Sequence, residues 1–160
     1  MKPGENAEGA AELRIRDADS SDLDAVTRID EQVSGLAKPE FWQETFELFR
    51  KPRHPTYFLA AEYDGHTVGF IVGEVRAWEF GSPPCGWVFA IGVSRDHRLQ
   101  KTGTALLDAI CARFREAGVA KVRTMVARDN REIHAFFRSQ GMMAGPYQEL
   151  EKDLSLYPGT

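Results

Sequence analysis

The run Val93-Ser94-Arg95-Asp96-His97-Arg98-Leu99-Gln100-Lys101-Thr102-Gly103-Thr104 carries the densest chemical signal in the chain. It joins an apolar stretch to a helical pattern through a loop bearing Arg95, Arg98 and Lys101. A helix start presents N–H groups without intrahelical partners and the positive end of the helix dipole, which together suit a phosphate or pyrophosphate. The loop cations add attraction, and the small Gly103 and Thr104 allow close approach. A solvated basic loop ahead of a surface helix has the same composition, so these residue types alone leave both readings open. The chain has neither G-x-G-x-x-G nor a Walker A lysine motif, which argues against a dinucleotide or ATP enzyme. His54, His66, His97 and His134 form no ligand pair at helical spacing, and no metal is expected. Cys111 falls on a helical apolar stripe and reads as core; Cys85, beside Pro83-Pro84, reads as exposed and has no histidine partner to make it a nucleophile.

The elements that must position this loop can be read from periodicity. Leu13–Arg16 alternates as a short strand, and Ser21-Asp22-Leu23-Asp24 has the pattern of a capping box before Leu23, Val26, Ile29 and Val33. Pro39-Glu40 opens a second helix with Phe41, Trp42, Thr45, Phe46 and Phe49 on one face. Tyr57–Tyr63 and Thr67–Val75 flank Asp64-Gly65, a strong hairpin signal. Trp87–Val93 is apolar throughout and is expected to be covered on both faces. A helix follows from about Thr102, then a strand over Val122–Ala127, a helix beginning at Asp129-Asn130 and closing at Gly141, and a last strand over Tyr147–Leu154. The expectation is an α/β fold: a single domain over residues 12–156 after a disordered tail of residues 1–11, with a mostly antiparallel mixed sheet of about six or seven strands and helices on both faces.

Order and spacing of these motifs resemble the GNAT superfamily of acyl-CoA-dependent N-acetyltransferases. Arg98-Leu99-Gln100-Lys101-Thr102-Gly103 stands where that family has Q/R-x-x-G-x-G/A, followed by Thr104-Ala105-Leu106-Leu107. Asn130, Phe137 and Gly141-Met142 keep the spacing of its N-x-x-A-x-x-x-Y-x-x-x-G-F with three substitutions. The likeness covers about residues 13 to 154 and implies acetyl-CoA as cofactor and an amine as acceptor. It implies that backbone groups of Ile91, Gly92 and Val93 pair with the pantetheine arm. N–H groups from Leu99, Gln100, Lys101, Thr102, Gly103 and Thr104 would cradle the pyrophosphate beside Arg98. Asn130 would face the pantetheine and Phe137 would lie near the sulfur.

This sequence departs from the family pattern at two positions. Lys101 replaces the first motif glycine; a positive φ there would cost on the order of 1 kcal/mol. A register shifted to Gln100–Ala105 would restore the glycine at the expense of a two-residue insertion. Phe137 replaces a tyrosine that protonates the departing thiolate. A thiol's reference pKa of about 8.5 lets it leave with little help; Tyr147 reads either as a substitute donor or as an ordinary amphipathic strand residue. An alkylamine is mostly protonated near pH 7, so a base is needed more than an acid. Glu74 shares the alternation of Val68, Phe70 and Val72, and Glu79 follows on the same segment; these two are the candidates. Glu31, Glu40, Glu44 and Glu47 would suit a cationic acceptor, although charged helix faces are usually just solvated.

Composition bounds the setting. In 160 residues, 42% are hydrophobic and 28% charged, as in ordinary globular chains. A net charge of -4 argues against nucleic acid as partner. No apolar run approaches the roughly 18 residues of a membrane span, and Met1–Gly9 lacks the apolar core of a signal peptide. With two cysteines, a cytoplasmic location is expected. Exposed sheet edges leave a homodimer open. The competing functions are a catalytically silent acyl-CoA-binding module, motivated by Phe137, and a GNAT-like fold that has abandoned CoA, motivated by Lys101.

Overall fold

Asp64 and Gly65 adopt φ of 50° and 73°, the left-handed pair of a two-residue hairpin turn, and join β2 (Thr56–Tyr63) to β3 (His66–Arg76). This hairpin is the centre of a sheet completed by β1 (Leu13–Asp17), β4 (Cys85–Val93) and β5 (Val122–Thr124). The structure, a computed structural model, describes residues 11–51 and 53–155. The five strands lie in sequence order, antiparallel from β1 through β4, with β5 parallel to β4.

Side-chain alternation gives the sheet two apolar faces. Phe58, Phe70 and Val72 face α1 (Leu23–Ser34) and α2 (Pro39–Arg50), and meet Leu23, Val26, Ile29, Trp42 and Phe46 in one buried cluster. Trp42 packs edge-on against Phe58 and Phe70 at centroid distances of 5.9 and 5.1 Å, and its indole N–H donates to Asp30 at 3.1 Å. Helix α3 (Thr102–Glu116) buries Leu106, Leu107, Ile110 and Phe114 against the other face. Contact there is close: a Cβ on Gly86 would stand 2.5 Å from the Phe114 ring.

Residues up to Met125 and residues from Val126 onward form separate compact units. In the second, α4 (Arg131–Ser139) starts with the Asn130 side chain accepting from Ile133 N–H at 3.1 Å. It ends in a Schellman turn, Met142 N–H to Phe137 C=O and Gly141 N–H to Arg138 C=O, with Gly141 at φ 83°.

Among the described residues the sheet has five strands rather than six or seven. Tyr147–Leu154 forms no strand, and Leu150 and Leu154 are exposed; the apolar residues Tyr147, Leu150 and Leu154 recur every three to four positions, which gives a strand no continuous face. β5 stops at Thr124, short of the expected Ala127. The capping box sits earlier than its sequence pattern, between Asp19 and Asp22 at a short 3-10 turn, because Asp22 is drawn inward by Arg16 and Thr67. Cys85 is buried, not exposed, and both cysteines are free. The tail expected at residues 1–11 lies, apart from Ala11, outside the described residues. No helix among the described residues is long and apolar enough to cross a membrane.

Candidate functional site

Val72 pairs with Ala90 while the next residue, Gly73, pairs with Val88, so Phe89 is an extra residue bulged out of β4. The bulge puts Phe89 and Ala90 on the same face, and Phe89, 42% exposed, meets Phe49 of α2 edge-on at 5.8 Å. This corrects the expectation that β4 is covered on both sides. The bulge also marks where β4 parts from β5. Their pairing covers Gly86–Val88 against Val122–Thr124, and the Thr124 hydroxyl closes it by donating to Val88 C=O at 2.7 Å. Beyond Val88 no described strand pairs with β4 on that side.

The polar groups on that open edge can be assigned. Ser94 N–H donates to Val68 C=O at 2.8 Å, so Ser94 faces β3 and, by alternation, so does Gly92, opposite Phe70. Ile91 and Val93 therefore turn their N–H and C=O outward. Arg98 Nε comes within 3.5 Å of the Val93 oxygen. Gly92 is required for packing: a Cβ there would lie 2.6 Å from Phe70 Cε1 and 3.0 Å from Ile29.

After β4 the chain makes a 3-10 turn over Arg95–Gln100, passes Lys101 at φ 57° and ψ 25°, and begins α3 at Thr102. Lys101 thus holds the left-handed conformation that the family's glycine would supply. No side chain caps α3, and Ala105 N–H makes its bond to Lys101 C=O at 3.0 Å, so the N–H groups of the preceding turn point out of the helix start. The loop is held from both sides. Thr102, fully buried, donates to His97 C=O at 3.3 Å, and Arg95 donates to the Gln32 carbonyl of α1 at 3.0 Å. Arg98 and Lys101 are exposed cations beside this turn, and Gly103 and Thr104 are half-buried within it.

Glu74 and Glu79 are brought into one charged cluster by residues the sequence reading did not single out. Glu74 Oε2 lies 2.7 Å from His54 Nε2, Oε1 accepts from Arg76 Nε at 3.0 Å, and Arg76 Nη1 stands 3.9 Å from Glu79. Burial pushes the Glu74 carboxyl upward, but the His54 and Arg76 bonds outweigh it and hold it below the usual carboxylate range. Arg76 also covers the Trp87 ring at 5.2 Å, and Trp87 is the cross-strand partner of Glu74. Arg76 was readable in principle, because it stands two residues along the strand from Glu74 and so shares its face. His54, in the loop before β2, gave no such signal.

The other sequence candidates fall in the second unit. Asn130 spends its Oδ1 on capping α4; Phe137 is buried and stacks obliquely on Phe136 at 5.1 Å; Tyr147 is half exposed. Among the described residues no group of three or more His, Cys, Asp or Glu could hold a metal ion.

A model of the acetyltransferase (GNAT) family matches residues 23–142. The chain is 33% identical over 91 residues to an L-2,4-diaminobutyric acid acetyltransferase of Nocardia farcinica, covering 57% of this chain and 46% of that protein. It is 32% identical over 117 residues to an N-alpha-acetyltransferase of Sulfurisphaera tokodaii, covering 69% and 67%. The chain thus spans just under half the length of the first relative and two thirds of the second. Among solved structures, the aminoglycoside N-acetyltransferase AAC(6')-Iy in complex with CoA superposes with a TM-score of 0.80 at 15% identity, over 92% of this chain and 98% of that one, a likeness of fold.

Proposed function

The chain belongs to the acetyltransferase (GNAT) family, and from that premise we propose that it is an acetyl-CoA-dependent N-acetyltransferase acting on a primary amine. The observation that carries the reading is the parting of β4 from β5 beside the uncapped start of α3. The residues fit the donor. Outward N–H and C=O groups of Ile91 and Val93 give an amide-bearing arm an edge to pair with. The N–H groups from Thr102 to Thr104, with Arg98 and Lys101, give a pyrophosphate its donors and countercharge. Leu99 and Gln100 complete that turn, and Gly92 sets the packing under it. In the second unit, Asn130 and Phe137 are assigned to the donor's arm and sulfur by the resemblance of their motif to that of the family.

Bound acetyl-CoA supplies an activated thioester; the chain's own residues must deliver a neutral amine and hold the charge that develops. The outward Ile91 or Val93 N–H serves as the oxyanion donor. Glu74, kept ionised by His54 and Arg76, draws a cationic amine to the Phe89 side of the sheet and receives its proton through an intervening water, with Glu79 extending the negative field. Phe137 has no proton to give, so Tyr147 is the proposed donor to the leaving sulfur. Two free thiols agree with a cytoplasmic location.

A second reading, an acyl-CoA-binding module without catalysis, is favoured by Phe137 and by the engagement of Glu74 with two cations. Titration with acetyl-CoA at two salt concentrations, followed by an amine and peptide panel, separates the two. The enzyme reading expects one-site binding that weakens with salt, and acetyl transfer to at least one amine. Binding without transfer across the panel leaves the module; no binding at millimolar acetyl-CoA removes both.

A further inference from the structure

Where β1 leaves the sheet after Asp17, β2 continues toward its own start with no described strand beside it, and a notch of about 490 Å³ opens there. That volume lies within the roughly 300–1,000 Å³ of small-molecule sites. Phe46, Phe49 and Phe58 give it an apolar wall; Arg50, Arg113 and Asp17 stand around it. Its floor is the edge of β2 at Thr56. Val75 N–H donates to Pro55 C=O at 2.9 Å and Ala18 N–H to Phe58 C=O at 2.8 Å, so alternation turns both the N–H and the C=O of Thr56 away from β3 and toward the notch.

The charges divide in the same way. Asp19 is spent on its cap, accepting from Ser21 N–H at 2.8 Å. Asp17 meets Arg113 at 3.1 Å through Oδ1 only and is itself 70% exposed. Arg50 has Glu47 at 3.6 Å across the exposed surface of α2, and its guanidinium sits 5.9 Å over the Phe46 ring. The notch therefore brings together the Arg50 guanidinium, the Asp17 carboxylate with its Arg113 partner, an outward backbone donor and acceptor at Thr56, and an aromatic wall.

We propose that this notch binds a free α-amino acid with an apolar side chain. Its carboxylate meets Arg50 and the Thr56 N–H, its ammonium meets Asp17 and the Thr56 carbonyl, and its side chain lies on the phenylalanine wall. Arg113 and Thr102 are at opposite ends of α3, roughly 16 Å apart along the helix, so the notch is distinct from the α3 start; it adjoins Glu74, the cross-strand partner of Thr56, and the inference concerns binding and not transfer.

Backbone amide NMR titration of the full chain with L-phenylalanine and L-leucine tests this, with 3-phenylpropionate and phenethylamine as probes that keep the ring and one charge each. The expected result is saturable shifts at Asp17, Arg50 and Thr56 with at least one amino acid, and binding of L-phenylalanine or L-leucine about tenfold or more tighter than either half-probe. Arg50→Gln is expected to weaken the amino acid and 3-phenylpropionate about tenfold, leaving phenethylamine and acetyl-CoA titrations unchanged. No saturable shift with either amino acid overturns the proposal. So does a half-probe that binds as tightly, or an Arg50→Gln chain that binds the amino acid as before.

Discussion

His54 Nε2 and Glu74 Oε2 stand 2.7 Å apart, and this contact decides how Glu74 can act. A carboxylate held below its usual range is a poor proton acceptor in a single step but a permanent negative charge at neutral pH. Glu74→Gln is therefore expected to lower kcat/KM for the acceptor by about 10²-fold, the low end of general-base effects, with little change in acetyl-CoA affinity. The sign on pH follows. Because the folded-state pKa is lowered, Glu74 stays charged above about pH 4.3 and loses its charge only as pH falls through its own lower value. An acid limb between pH 5 and 7 should thus keep its position in Glu74→Gln while the plateau drops. Initial rates across pH 5–9 check this; a limb that disappears in the variant would assign the titration to Glu74 itself.

One heavily bonded carboxylate among the described residues belongs to the scaffold. Asp22, 1% exposed, accepts from Arg16 at 2.7 and 2.9 Å, from Thr67 at 2.6 Å and from Asp19 N–H at 2.8 Å. Burial raises its pKa, but these donors outweigh burial and the net shift is downward. Its contribution to stability is complete above the ordinary aspartate value of about 3.9 and is lost as pH falls through the lower folded value. Asp22→Ala leaves Arg16 without its main partner and is expected to cost about 3–5 kcal/mol. Urea unfolding at pH 7 and pH 3 should show the wild-type chain losing more stability between the two than Asp22→Asn does. Equal losses would mean that Asp22 titrates like a surface aspartate.

Packing between β4 and α3 gives a prediction that involves no charge. Gly86→Ala places a methyl 2.5–2.7 Å from three carbons of the Phe114 ring, which is itself buried and meets Tyr57 edge-on at 5.6 Å. Over-packing of this kind costs about 1–3 kcal/mol. Adding Phe114→Leu should recover part of that loss, a coupling that denaturation midpoints of the two single variants and the double variant would measure. Additive losses would show that the ring has room to move.

Local signals carried most of this architecture. Asp64-Gly65, the proline start of α2, the glycine ends of α1, α3 and α4, and the loop before Thr102 all act within a few residues, and all appear where their chemistry places them. What was hidden depends on partners distant in sequence. The Phe89 bulge is set by how β3 and β4 mesh; the capping box slid to Asp19 because Arg16 and Thr67 captured Asp22; and His54 joined Glu74 only because Thr56 pairs with Glu74 across the hairpin. The failed strand at Tyr147–Leu154 was an error of period, since its apolar spacing was never two.

Lys101 tests whether strain and charge at the α3 start can be separated. A non-glycine residue at φ 57° costs about 1–2 kcal/mol, whereas glycine there would lose about 0.5–1 kcal/mol through the freedom it gains when unfolded. Lys101→Gly is therefore expected to change stability by about 0–1.5 kcal/mol, toward a gain. Lys101→Ala keeps the strain and should show no gain. Both remove the ammonium, so both should weaken acetyl-CoA at low salt and converge on the wild-type affinity at high salt, where screening has already reduced the lysine's contribution. Thermal melts and titrations of the three chains at two ionic strengths resolve the terms. Tighter binding by Lys101→Gly at both salts would mean that backbone strain, and not charge, governs how this loop meets a phosphate.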